Sequence, residues 1–183
     1  VKNRLKAGQT IDPDRLGEIQ LESERSTALD KALHFIAASQ KTERQIREYL
    51  AGKGYLAAVS DYVLEKMSGY GFLDDRQYAE SYAASAVKKK GARLIRAELK
   101  EKGVSDEHIR NALDGLEGEA ETAAKLLGKY MRGKEADRQT LYKAFRYLIG
   151  KGFDYDTAKS ALTAFGEVSE DSEPQGESGD FSD

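Results

Sequence analysis

The strongest constraint on the fold of this chain is a repeat of constant length. Leu50, Leu99 and Leu148 stand 49 residues apart, and the same offset relates Leu33, Tyr82 and Met131 upstream and Leu64, Leu113 and Leu162 downstream. The surrounding residues also correspond: Ile46-Arg47 to Ile95-Arg96 to Ala144-Phe145, and Lys53-Gly54 to Lys102-Gly103 to Lys151-Gly152. A period of this size marks tandem supersecondary units, each too small to bury a core alone and therefore packed on its neighbours. The units read as helical. Ile109, Ala112, Leu113 and Leu116 fall at helical spacing, as do Ala158, Ala161, Leu162 and Phe165. The only prolines, Pro13 and Pro174, lie outside the repeats, which leaves the interior free for unbroken helices. The expected fold is all-α: three tandem three-helix repeats in an elongated, curved array.

This reading divides the chain into an N-terminal segment (1–26), three-helix repeats at 27–72, 73–118 and 119–166, and a disordered acidic tail at 167–183. Asp12-Pro13 reads as a helix start. Thr42 is expected to cap the second helix of the first repeat, and Asp74, with Gln77 three residues on, the first helix of the second. Ser105 opens a helix with Asp106 and Glu107 in its first turn, where acids suit the helix dipole. Gly103 is expected to end a helix with positive φ. Because position 1 is valine, the chain is expected to be a processed product or a fragment.

Composition excludes several classes. There is no cysteine, so disulfides and thiolate metal sites are ruled out and a reducing cytoplasm is expected. No apolar run reaches membrane-spanning length, and no membrane partner is expected. The net charge of −3 averages two regions. Residues 167–183 hold seven acids and no base, so the remainder is mildly basic. His34 and His108 have no visible nucleophile or metal partner, capping accounts for Asp74-Asp75, and no phosphate-binding glycine loop occurs. No catalytic residue, metal or cofactor is expected, and the chain reads as a non-enzyme and a monomer.

The functional clue is basic. Lys88, Lys89, Lys90, Arg93 and Arg96 lie between two predicted helices with no acid among them. Lys41, Arg44 and Arg47 occupy the corresponding corner one period earlier, and Lys143 and Arg146 lie near it in the third repeat. Stacking would align these corners into a cationic ridge suited to a polyanion or to the acidic lining of a protein groove. Lys53, Lys102 and Lys151 read instead as cations opposing the negative ends of helices. Tyr49 and Tyr147 read as packing residues, and Tyr70, Tyr78 and Tyr82 as core residues whose hydroxyls reach a rim.

The motifs Tyr70 to Asp75, Tyr78-Ala79, Lys88 to Ile95 and Glu98-Leu99-x-x-Lys102-Gly103-Val104 resemble the RecX regulatory family, the modulators of the bacterial RecA recombinase. Ala28 to Leu33 and the three-fold repeat add to the resemblance, which covers roughly residues 5 to 165. It implies a negative regulator that binds in the groove of the RecA–DNA filament and inhibits its recombinase, ATPase and co-protease activities. It also implies that a small β-rich domain precedes this segment in longer members. One departure is Ser39-Gln40-Lys41-Thr42, where the family shows an Arg-x-Arg-Ser run; the first repeat is expected to carry less positive charge. The competing reading is a helical repeat protein that binds single- or double-stranded DNA, or RNA, directly through the same cations. A third is a helical scaffold whose cations only keep it soluble.

Overall fold

A computed structural model describes residues 10–170, and among them there are nine α-helices and no strand. In chain order these are α1 (Pro13–Ala37), α2 (Glu43–Gly52), α3 (Ala57–Gly69), α4 (Asp75–Ala86), α5 (Ala92–Glu101), α6 (Asp106–Asp114), α7 (Glu119–Met131), α8 (Arg138–Gly150) and α9 (Tyr155–Glu170). The fold is the expected all-α repeat. Two compact units divide it, one running to Ala79 and including Lys100–Ile109, the other comprising Glu80–Leu99 and the chain from Arg110 onward. The division passes through α4, α5 and α6.

In the first unit, Ala28 and Ala32 of α1 pack with Ile46 and Leu50 of α2 and Val59, Val63 and Met67 of α3. In the second, Ala123, Leu127 and Met131 of α7 pack with Ala144 and Leu148 of α8, Phe153, and Ala158 of α9. The pivot positions behave alike. Ile46, Ile95 and Ala144, and Leu50, Leu99 and Leu148, are all fully buried. The helical spacing in the sequence is therefore a packing spacing.

The predicted caps form. Thr42 and Gln45 make a capping box, with Gln45 N–H on Thr42 Oγ1 (3.3 Å) and Thr42 N–H on Gln45 Oε1 (3.1 Å). Asp74 Oδ1 accepts from Gln77 N–H (2.9 Å), and Ser105 Oγ from His108 N–H (3.2 Å). Gly54, Gly103 and Gly152, one period apart, have φ of 87°, 85° and 91°. After α2 and α8 the chain closes with Tyr55 N–H on Leu50 C=O (3.1 Å) and Phe153 N–H on Leu148 C=O (3.2 Å), the six-to-one bond of a left-handed glycine stop.

Two boundaries differ from expectation. The one expected between residues 26 and 27 lies inside α1, which runs unbroken for 25 residues from an Asp12 cap and Pro13. Nothing in that stretch interrupts helix: Thr27 turns its hydroxyl back onto Ser23 C=O (2.9 Å), satisfying itself locally. The tail was expected from residue 167, whereas α9 continues to Glu170. The rest of that acidic segment lies outside the described residues.

A recurring junction ties α2 and α5, the second helices of the first two repeats, each to the following repeat. At the start of α2, Asp75 Oδ1 accepts from Glu43 N–H (2.9 Å), while Thr42 Oγ1 donates to Lys102 C=O (2.6 Å). One period on, Glu119 Oε1 accepts from Ala92 N–H (2.9 Å), and Gly91 N–H donates to Lys151 C=O (3.0 Å). Each time, a carboxylate from the first residue of a later helix caps the N-terminus. The carbonyl end of a later second helix takes the remaining bond. Helix ends leave donors and acceptors orphaned, and here two ends satisfy one another.

Candidate binding surface

The basic corners sit on these junctions, and the structure distinguishes the cations that sequence groups together. In the first repeat all three have local partners. Arg44 Nε pairs with Glu48 (2.8 Å), and Arg47 pairs with Glu43 (3.0 Å) and with Asp61. The Asp61 and Glu43 hydrogen bonds hold the Arg47 guanidinium above its ordinary pKa. Lys41 donates to Ser39 and lies 5.1 Å from the centre of the Phe35 ring. The two arginines of this corner are neutralised by Glu43, Glu48 and Asp61, whereas Lys41 has no acidic partner among the described residues.

In the second repeat one of the five cations is likewise engaged. Lys90 Nζ lies 2.6 and 2.7 Å from the two oxygens of Glu98, and Tyr82 O–H donates to the same carboxylate (2.7 Å). The Lys90 and Glu98 side chains are only 22% and 27% exposed, so the pair is largely withdrawn from solvent. Glu98 occupies the position that Tyr49 and Tyr147 hold in the flanking repeats. Tyr49 stacks on Phe35 (4.1 Å) and Tyr147 on Tyr130 (4.7 Å). A charged cluster thus replaces an aromatic stack.

Lys88, Lys89, Arg93 and Arg96 remain exposed, and among the described residues none of them forms an ion pair. Arg93 lies near Asp154, whose carboxyl is held below its usual range chiefly by the Thr157 N–H, with Arg93 adding a smaller contribution. Lys143 and Arg146 are exposed on α8. The sequence reading assigned Asp74-Asp75 to capping but missed that Asp75 caps α2, 32 residues away, and it missed the capping role of Glu119, whose target lies 27 residues away. Burial pushes the Asp75 carboxyl above its ordinary pKa, with the Glu43 N–H opposing that shift. Tyr70, expected in the core, is 63% exposed and meets Phe72 edge-on at 6.2 Å, the two residues flanking the turn at Gly71, whose φ is 72°. Tyr82 does send its hydroxyl to a charged partner.

Comparison with known proteins decides the family. Residues 28–67, 74–113 and 117–162 match the first, second and third three-helix domains of RecX. The chain belongs to the RecX family of regulatory proteins. Regulatory protein RecX of Clostridium perfringens strain 13 is 33% identical over 167 residues, spanning 88% of this chain and 79% of that protein. The Bacillus licheniformis RecX is 30% identical over 170 residues, 88% of this chain and 64% of its own length. Among solved structures, a crystal structure of regulatory protein RecX superposes with a TM-score of 0.78 at 26% identity, covering 87% of this chain and 83% of that one. RecX from Lactobacillus salivarius gives 0.73 at 21% identity, over 80% and 99% of the two chains, which bears on the fold alone. The three matched domains carry the repeat assignment. Among the described residues no helix is long and apolar enough to cross a membrane.

Proposed function

We propose that this RecX-family chain is a non-catalytic, cytoplasmic, monomeric negative regulator of RecA, which binds in the groove of the RecA–DNA filament and inhibits recombination, ATP turnover and co-protease activity. Family membership supports the regulatory role. The observation that carries the contact is the exposed, unpaired state of Lys88, Lys89, Arg93 and Arg96, against the paired state of Arg44, Arg47 and Lys90. A cation already neutralised by a neighbouring carboxylate gains little from a new anion, whereas an unpaired one gains the whole interaction. The filament-contacting set is thus narrower than the full list of ten basic residues. Lys143 and Arg146 stay within it on grounds of exposure.

The test is RecA ATP hydrolysis on single-stranded DNA in the presence of this protein. Wild type should inhibit. The combined variant Lys88→Gln, Lys89→Gln and Arg96→Gln should need at least about tenfold more protein for the same effect. Arg44→Gln should differ from wild type by less than about threefold, because its guanidinium is already paired with Glu48. Undiminished inhibition by the triple variant with an unchanged melting curve would remove the basic surface from the proposal.

A further inference from the structure

Helix α8 carries an aromatic side chain that neither its core nor the repeat explains. Ala144 and Leu148 are fully buried and define the inward face of α8. Tyr142 is 62% exposed, and Arg138 and Arg146, four residues to either side, are exposed on the same outward stripe. Lys143 is exposed beside them. Residues four apart on a helix are separated by about 6 Å along its axis, so the two guanidinium-bearing residues bracket the ring over about 12 Å. Neither Arg138 nor Arg146 forms an ion pair among the described residues. Two carboxylates lie near the ends of the helix. Asp137 is occupied in capping α8 through Thr140 N–H (2.7 Å), with Lys143 close enough to add to the lowering of its pKa. Asp154 is occupied in capping α9 through Thr157 N–H (2.7 Å).

A flat ring held open between two unpaired cations has the chemistry of a base-stacking platform flanked by phosphate contacts. We propose that the outward face of α8 is a binding site for single-stranded nucleic acid, with Tyr142 stacking on a base and Arg138 and Arg146 meeting the neighbouring phosphates. The single strand is favoured because a base must be unstacked to lie on the ring, which a duplex does not offer without cost. Every base has a π-face, so the site should be tolerant of sequence. Of its three residues only Arg146 belongs also to the filament-contacting set above, and binding here needs no RecA.

The experiment measures anisotropy of a labelled oligothymidylate of about 20 nucleotides and of an abasic oligomer of the same length, each titrated with the full chain. The two strands share their phosphates and differ only in bases. Wild type should bind the oligothymidylate at least about fivefold more tightly. Tyr142→Ala should abolish that preference while leaving abasic binding unchanged, and Tyr142→Phe should retain it. Arg146→Gln should weaken binding to both strands and reduce the slope of log K against log salt by about 0.7. Absence of a base preference in wild type, or its persistence in Tyr142→Ala, would overturn the proposal. Folding should not confuse the result, because the ring is mostly in solvent; equal melting curves for the variants verify this.

Discussion

Gly91 lies at the junction of α5 with the end of α8, and a Cβ there would come within 2.5 Å of Gly152 C and O and of Phe153 N. All three are backbone atoms, so no side-chain rotation relieves the clash. Gly128, inside α7, faces open space at an unremarkable φ. Gly91→Ala should therefore destabilise the protein by about 2 kcal/mol or more. Gly128→Ala should instead stabilise it by about 0.5–1 kcal/mol, since alanine costs less than glycine to fix in a helix. Urea melts of both variants check the contrast. The contrast also marks what the sequence discloses at this scale. Gly103's positive φ is legible because the glycine follows a helical run and precedes a β-branched valine. Gly91 gives no such signal: its neighbours in space lie 61 and 62 positions away, and in the sequence it looks like part of a basic break. Thr42 is legible as a cap for the same local reason, whereas its bond to Lys102 is not.

At the scale of elements, the carboxylates of Asp75 and Glu119 hold α2 and α5 by their N-termini. Burial raises the folded-state pKa of Asp75, so the folded protein binds that proton more tightly than the unfolded chain does. Its contribution is fully present below the ordinary carboxylate pKa of about 3.9 and is lost as pH rises through the raised value. Asp137 and Asp154 act in the opposite sense. Their lowered values make their capping contribution present above about pH 3.9 and lost as pH falls through them. Asp75→Asn keeps an acceptor for the Glu43 N–H and removes the titration. Its stability relative to wild type should rise as pH increases above the ordinary carboxylate pKa of about 3.9, as urea melts at a series of pH values would detect. A constant difference would mean that Asp75 titrates alike in both states.

The cluster of Lys90, Glu98 and Tyr82 is an element-scale feature of another kind. Sequence placed Lys90 among the binding cations because no acid lies between Lys88 and Arg96; the partner, Glu98, stands two residues beyond that window. Lys90→Gln leaves a partly buried carboxylate with a weaker partner and should cost about 1–2 kcal/mol, whereas exposed Lys88→Gln should stay within about 0.5 kcal/mol. Thermal melts of the two variants separate a structural lysine from a surface one. The helices themselves were legible because their periodicity is strong. The continuity of α1 was not, since the repeat period begins midway along it and drew a boundary that the backbone ignores.

For the whole molecule, net charge says little about partners. The acidic stretch after residue 166 offsets a basic remainder, and within that remainder ion pairs remove Arg44, Arg47 and Lys90 from the accessible set. Among the exposed cations that form no ion pair within the described residues are Lys88, Lys89, Arg93 and Arg96 on α5 and the turn before it, and Arg138, Lys143 and Arg146 on α8. Pairing of this sort depends on where helices lie in space, and composition is blind to it. The repeat, by contrast, is visible in sequence because each unit buries the same pivot positions. The proposal that the unpaired cations serve a filament rather than a bare strand is tested most directly by affinity. Anisotropy should be measured for a labelled copy of this chain titrated with RecA filaments preassembled on single-stranded DNA, and with that DNA alone, at one salt concentration. Regulation through the filament predicts binding to the filament at least about tenfold tighter than to the bare strand. Equal affinities, or tighter binding to bare DNA, would contradict it.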